Sequence, residues 1–201
     1  MSPPARSGDL AVIRRILDHD GVVLMPTDTL PGFHARLDRP AAIARITGIK
    51  GRDGAKPFLV LAASTRQVAN HLEWTDRTSS LAERLWPGPF TLILPAGLGT
   101  PVEVTSETGS MAVRVPADQE LRSLLTLVGV PLVSTSVNRS GQAPATTLDE
   151  AVSAFGGDVD LIAELSASGD GTPSTLLDLT CWPPVVVRAG AGVLPEWWME
   201  L

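Results

Sequence analysis

The chain has 201 residues, 44% hydrophobic and 19% charged, and its 16 Lys plus Arg against 22 Asp plus Glu give a formal net charge of −6. That content supports a buried core and excludes a disordered chain, and the acidic balance argues against a surface given over wholly to nucleic acid. The single cysteine, Cys181, excludes an internal disulfide and a Cys-x-x-Cys zinc site.

From the N-terminus, residues 1–7 lack the apolar core of a secretory signal. Leu10, Ile13, Ile16 and Leu17 recur at three-to-four spacing and predict an amphipathic helix over residues 8–18. Residues 22–25 read as a buried strand, 33–37 as a second strand, and 40–47 as a helix with Pro40 in its first turn. A buried strand over 58–62 precedes helices over 65–72 and 78–86, the second stopped by Pro87-Gly88-Pro89. Strands follow at 91–94 and 111–115, then a helix at 118–128 and a strand at 131–136. A helix over 147–155 and strands over 159–165, 175–179 and 185–188 complete the chain. The longest nearly apolar stretch, residues 124–133, is about half of what a bilayer crossing needs and contains Gly129 and Pro131. This order predicts a soluble, cytoplasmic α/β protein with one domain over residues 1–201 and no membrane contact.

Several strands end at small, polar, Gly-containing turns, the places where open α/β sheets present ligand-binding groups. Pro26-Thr27-Asp28-Thr29-Leu30-Pro31-Gly32 gathers two hydroxyls and a carboxylate, which suit either a polar ligand or a self-satisfied turn. The chain's only two lysines lie together in Lys50-Gly51-Arg52-Asp53-Gly54-Ala55-Lys56, where three positive charges suit phosphate or carboxylate groups. A solvated basic turn is the alternative there, and the Walker spacing is missing. Ser134-Thr135-Ser136-Val137-Asn138-Arg139-Ser140 is a dense set of donors and acceptors. One or two of these could cap a helix, but the whole set favours a ligand. Gly171-Thr172-Pro173-Ser174-Thr175 and Arg188 form a fourth group. Arg114 belongs with them, because an Arg in an apolar strand must be paired or face a polar cavity. Gly-x-Ser-x-Gly, His-Glu-x-x-His and Gly-x-Gly-x-x-Gly patterns are absent, so the chemistry implied is anion binding and positioning.

In this order the segments resemble the YrdC family of threonylcarbamoyl-AMP synthases over most of the chain. The carriers are Pro26 to Gly32, Lys50-Gly51-Arg52 with Lys56-Pro57, Trp86-Pro87-Gly88-Pro89-Phe90-Thr91 and Ala112-Val113-Arg114-Val115-Pro116. Ser136-Val137-Asn138-Arg139-Ser140-Gly141, Ser174-Thr175-Leu176-Leu177-Asp178 and Arg188-Ala189-Gly190 continue the match. The resemblance implies a YrdC-like twisted mixed sheet flanked by helices around a basic cavity. It implies that L-threonine, bicarbonate and ATP, with Mg²⁺ carried by the nucleotide, yield threonylcarbamoyl-AMP and pyrophosphate. A partner transferase would then modify the tRNA adenosine beside the anticodon.

By position, the resemblance assigns Thr29, Arg114, Ser134 and Ser174 to threonine. It assigns Lys50, Arg52, Lys56, Ser110, Ser136, Asn138, Arg188 and the Pro144 carbonyl to ATP, with Lys50 and Arg52 as the catalytic charges. The chain departs from the family pattern at Leu30 and Pro31, having no Tyr at all, at Val137, and at Leu61, where two-domain members often carry His. A non-enzymatic YciO-like paralogue that binds RNA through the same cavity is the alternative, and a carbamoyl-transfer accessory like the YrdC part of hydrogenase-maturation proteins is a third.

Overall fold

A computed structural model describes residues 5–51, 57–167 and 169–201. The strands are β1 (Ala5–Ser7), β2 (Val23–Met25), β3 (Gly32–Arg36), β4 (Leu59–Leu61), β5 (Phe90–Pro95), β6 (Ser110–Arg114), β7 (Leu132–Ser136), β8 (Leu161–Ala163), β9 (Thr175–Asp178) and β10 (Val185–Arg188). The helices are α1 (Leu10–Asp18), α2 (Pro40–Lys50), α3 (Thr65–Val68), α4 (Asp76–Leu85), α5 (Gln119–Val128) and α6 (Leu148–Phe155). Among the described residues the strands form one mixed sheet in the order β1-β8-β2-β3-β7-β4-β6-β5-β9-β10.

Local sequence explains most of these boundaries. The Asp9 carboxylate accepts from Ala11 N at 2.8 Å and starts α1. Thr75 with Thr78, and Thr147 with Glu150, form capping boxes at the starts of α4 and α6. α2 runs to Lys50 rather than stopping near residue 47, because Gly51 at φ 56° supplies the left-handed cap that a side chain would resist. The helix expected over 65–72 divides into α3 and a short 3-10 turn at Ala69–His71. β1 was not predicted at all. Its sequence carries no apolar alternation, and pairing with β8 together with the Arg6–Glu164 ion pair holds it in the sheet.

Strand alternation sorts residues onto two faces. On one face Leu24, Phe33, Ala35, Val60, Leu92, Met111, Val113 and Val133 join a single apolar core with Ile43 and Ile46 of α2 and Leu81 and Leu85 of α4. On the other, Val23, Met25, Leu61, Leu132 and Leu161 pack under Ile13 and Leu17 of α1 and Leu121, Leu124 and Leu125 of α5. Burying each such side chain contributes about 1.5–3 kcal/mol. The helical cover of the second face is incomplete. Leu59, Ala112 and Ile93 stand in register across three interior strands, yet each is only half-buried. The uncovered strip they mark is where the polar residues of the sheet collect.

Candidate functional site

Alternation along β6 places Ser110, Ala112 and Arg114 on the uncovered face, and along β7 it places Ser134 and Ser136 there. His34 pairs with Ser134, and Gly32 with Ser136, across β3 and β7. The strip therefore runs from Asn138 and Ser136 at one end, past Ser134, to Arg114 at the other. From Ser136 to the register row of Arg114 is four residues along β7, about 13 Å at roughly 3.3 Å per residue.

At the Arg114 end, the loop between β2 and β3 folds back over the sheet. Ala117 N donates to Asp28 Oδ2 at 2.9 Å, and Gly169 N donates to the Thr27 carbonyl at 3.1 Å. Position 169 accepts only glycine, because a Cβ there would meet the Thr29 carbonyl oxygen at 2.1 Å. The folded loop brings two hydroxyls onto Arg114, whose residue surface is 2% exposed. Arg114 Nη1 donates to Thr29 Oγ1 at 2.7 Å and Nη2 to Thr27 Oγ1 at 3.4 Å, while Asp28 Oδ1 lies 3.3 Å from Nη2. Burial lowers the pKa of the Arg114 guanidinium, the Asp28 carboxylate opposes that shift, and the nearby Arg188 charge adds to it. Even so, Arg114 stays charged, since its reference value lies so far above neutrality.

Arg188, exposed at the end of β10, donates through Nη2 to the Ser174 carbonyl at 2.9 Å, and Ser174 Oγ lies 2.7 Å from Thr91 Oγ1. Ser134 Oγ lies 3.1 Å from His34 Nε2. His34 is fully buried, and burial together with the Arg114 charge pushes its pKa down to about 3, so the ring is neutral at physiological pH. The sequence takes His34 for a surface or loop histidine, because a lone histidine carries no local pattern, whereas the structure buries it inside β3. The Ser134 partner is visible only in the strand register.

At the far end, Lys50 Nζ donates to the Ser136 carbonyl at 2.7 Å, the Asn138 carbonyl at 3.1 Å and Asn138 Oδ1 at 2.8 Å. Ser136 Oγ donates to the same Asn138 Oδ1 at 2.7 Å, and Asn138 Nδ2 donates to the Gln142 carbonyl at 2.7 Å. Lys50 thus joins the end of α2 to the end of β7, and Ser140 N returns a bond to the Lys50 carbonyl. Replacing Lys50 by methionine, which keeps the stem and removes the donors, is expected to cost about 1–3 kcal/mol of folding free energy. Urea unfolding of the Lys50→Met variant measures this.

Ser110 is the first residue of β6, its Oγ 2.8 Å from Ser106 Oγ in the preceding turn. Pro144 is half-buried in the loop after β7, beside Ala145, whose N donates to the Val137 carbonyl. Arg52 and Lys56 lie outside the described residues. The structure thus gathers Thr29, Arg114, Ser174 and Arg188 in one group, and Lys50, Ser136 and Asn138 in another, with Ser134 between them. Leu61, by contrast, lies in the apolar core under α1 and α5.

Among the described residues no group of three or more His, Cys, Asp or Glu gathers to hold a metal ion, and no helix is long and apolar enough to cross a membrane. A surface cleft of about 500 Å³, bounded by Ala63, Gln119, Arg122, Ser123, Thr126 and Leu127, is lined by none of the strip residues.

Comparison with known proteins adds a family. The Sua5/YciO/YrdC family model, described as "Telomere recombination", matches residues 15–190. A threonylcarbamoyl-AMP synthase of Nitrosococcus oceani is 36% identical over 165 residues, which are 82% of this chain and 89% of that protein. The threonylcarbamoyl-AMP synthase of Pyrococcus abyssi is 34% identical over 176 residues, which are 87% of this chain but 52% of the archaeal protein. Among solved structures, P. abyssi Sua5 complexed with L-threonine superposes with a TM-score of 0.84 at 30% identity, covering 94% of this chain and 58% of that one. Escherichia coli YciO superposes with a TM-score of 0.82 at 25% identity, covering 96% of this chain and 98% of that one.

Proposed function

We propose, from the premise that the chain belongs to the Sua5/YciO/YrdC family, that it is a nucleotidyltransferase making threonylcarbamoyl-AMP from L-threonine, bicarbonate and Mg-ATP. The observation that carries this reading is the buried Arg114, held by Thr29 and Thr27 on an otherwise uncovered strip of sheet. A buried guanidinium with hydroxyls around it suits a small hydroxylated amino acid, its carboxylate on Arg114 and its side chain toward Ser134 and Ser174. About 13 Å along the strip, the Lys50, Ser136 and Asn138 group suits the nucleotide, to which the family resemblance also assigns Ser110, the Pro144 carbonyl, Arg52 and Lys56, while Arg188, at the Arg114 end, is assigned to the phosphates.

The chemistry asks little of a nucleophile. The threonine amine and bicarbonate form a carbamate with loss of water. A carbamate oxygen then attacks the α-phosphorus of ATP, and pyrophosphate leaves with the bond electrons. The protein's task is to align the two substrates and to balance charge on the phosphates, which positioned cations and backbone donors perform. In this reading Lys50 fixes Ser136 and Asn138, and the charge of Arg52 is assigned to the phosphates. Mg²⁺ arrives on the nucleotide. The product passes, in the cytoplasm, to a transferase that modifies tRNA.

The test is pyrophosphate release from ATP in the presence of bicarbonate, with and without threonine. The expected result is release that requires threonine and falls at least about 100-fold in Arg52→Ala. Release that ignores threonine, or tRNA binding that ignores ATP and falls steeply with salt, would replace this reading with an RNA-binding one. The synthase reading leads because, on structural superposition, the identity to the threonine-bound Sua5, 30%, exceeds the 25% to YciO.

A further inference from the structure

We propose that Asp28 is the group that holds the substrate ammonium, so that Arg114 and Asp28 together select a zwitterionic α-amino acid over a simple carboxylic acid. This rests on the amino-acid site argued above and assigns it one more residue.

Two atoms carry the inference. Asp28 Oδ1 and Arg114 Nε are both buried and make no hydrogen bond among the described residues. Buried polar atoms are nearly always hydrogen-bonded, so an ion pair that leaves one acceptor and one donor without a hydrogen bond calls for a ligand with both characters. Neither side chain is free to turn away. Asp28 is fixed through Oδ2 to Ala117 N, and Arg114 through Nη1 and Nη2 to Thr29 and Thr27. The Oδ1 to Nη2 separation of 3.3 Å sets anionic and cationic groups side by side, as needed to meet an ammonium and a carboxylate carried on one carbon.

Charge balance points the same way. The resting pair is neutral. Adding a bare carboxylate would leave one uncompensated negative charge in a buried site and would press it against Asp28, whereas a zwitterion leaves the site neutral. Thr27 and Thr29 supply hydroxyls but no charge, so among the described residues Asp28 is the carboxylate set against Arg114.

The experiment is calorimetric titration of the full chain with L-threonine and with its des-amino analogue, 3-hydroxybutanoate. Wild-type protein is expected to bind threonine about 10- to 100-fold more tightly than the analogue. Asp28→Asn keeps an oxygen for Ala117 N and removes the charge. It is expected to narrow the preference to less than about threefold by weakening threonine alone, while Asp28→Glu keeps most of the preference. The inference is overturned if Asp28→Asn keeps the wild-type ratio, if it weakens both ligands equally, or if the wild type shows no preference. Any of these alongside threonine-dependent pyrophosphate release removes only the role of Asp28. Loss of that release in the wild type removes the synthase reading and this inference with it.

Discussion

Replacing Arg114 by alanine is expected to lower kcat/KM for threonine by at least about 100-fold and folding stability by about 3–5 kcal/mol. The two losses have different origins. Activity falls because the buried guanidinium is the cation of the Arg114, Thr29 and Ser174 group that is best placed for the substrate carboxylate. Stability falls because Asp28, with 12% of its side chain exposed, would be left without its counter-ion. A second substitution separates them. The double variant Arg114→Leu with Asp28→Asn removes both charges and is expected to recover most of the lost stability, since a buried pair replaced by uncharged groups is often neutral in energy. It should remain unable to use threonine. Urea unfolding and threonine-dependent pyrophosphate release measure the two effects. An Arg114→Ala protein as active as wild type would remove this residue from the site.

The second large effect concerns acid. His34 has a folded pKa of about 3 against an ordinary 6.5, because burial and the Arg114 charge disfavour its protonated form. The unfolded chain therefore binds a proton below pH 6.5 that the folded chain refuses until near pH 3. Stability is nearly unaffected above about pH 7.5 and falls as the pH drops below it, by roughly 2 kcal/mol between pH 6.5 and 4.5 as the slope approaches about 1.4 kcal/mol per pH unit. Urea unfolding at the two pH values measures the loss. His34→Gln is expected to remove that part of the slope while leaving the part due to carboxylates. An unchanged slope would show that the imidazole protonates without opening the fold.

The contrast between His34 and Arg114 marks what was legible in the sequence. Arg114 stood out because a charge inside an apolar strand has a local price that the neighbouring residues make visible. Nearly every helix and strand was legible for a similar reason, since periodicity and caps are local. β1 was not, because Ala5, Arg6 and Ser7 become a strand only through pairing with Leu161, Ile162 and Ala163. The fold-back of residues 26–31 was likewise hidden. It depends on donors from Ala117 and Gly169, 89 and 142 residues away from the acceptors Asp28 and Thr27. The charge of Lys50 suited an anion or a solvated turn, and the family resemblance assigned it to ATP. Its bonds to Ser136 and Asn138 appear only when α2 and β7 are brought together.

The alternation of β6 also bears on how this protein can change over generations. Ser110, Ala112 and Arg114 lie on the strip face, while Met111 and Val113 serve the core, so the strand carries two interleaved messages in one five-residue reading frame. A point substitution edits one message at a time. Inserting or deleting a single residue would exchange them, driving Arg114 toward the core packed by Val60 and Leu92 and turning Met111 and Val113 toward the site. Length changes should therefore accumulate in the connections, such as residues 96–109, whereas β6 itself should diverge only by replacement.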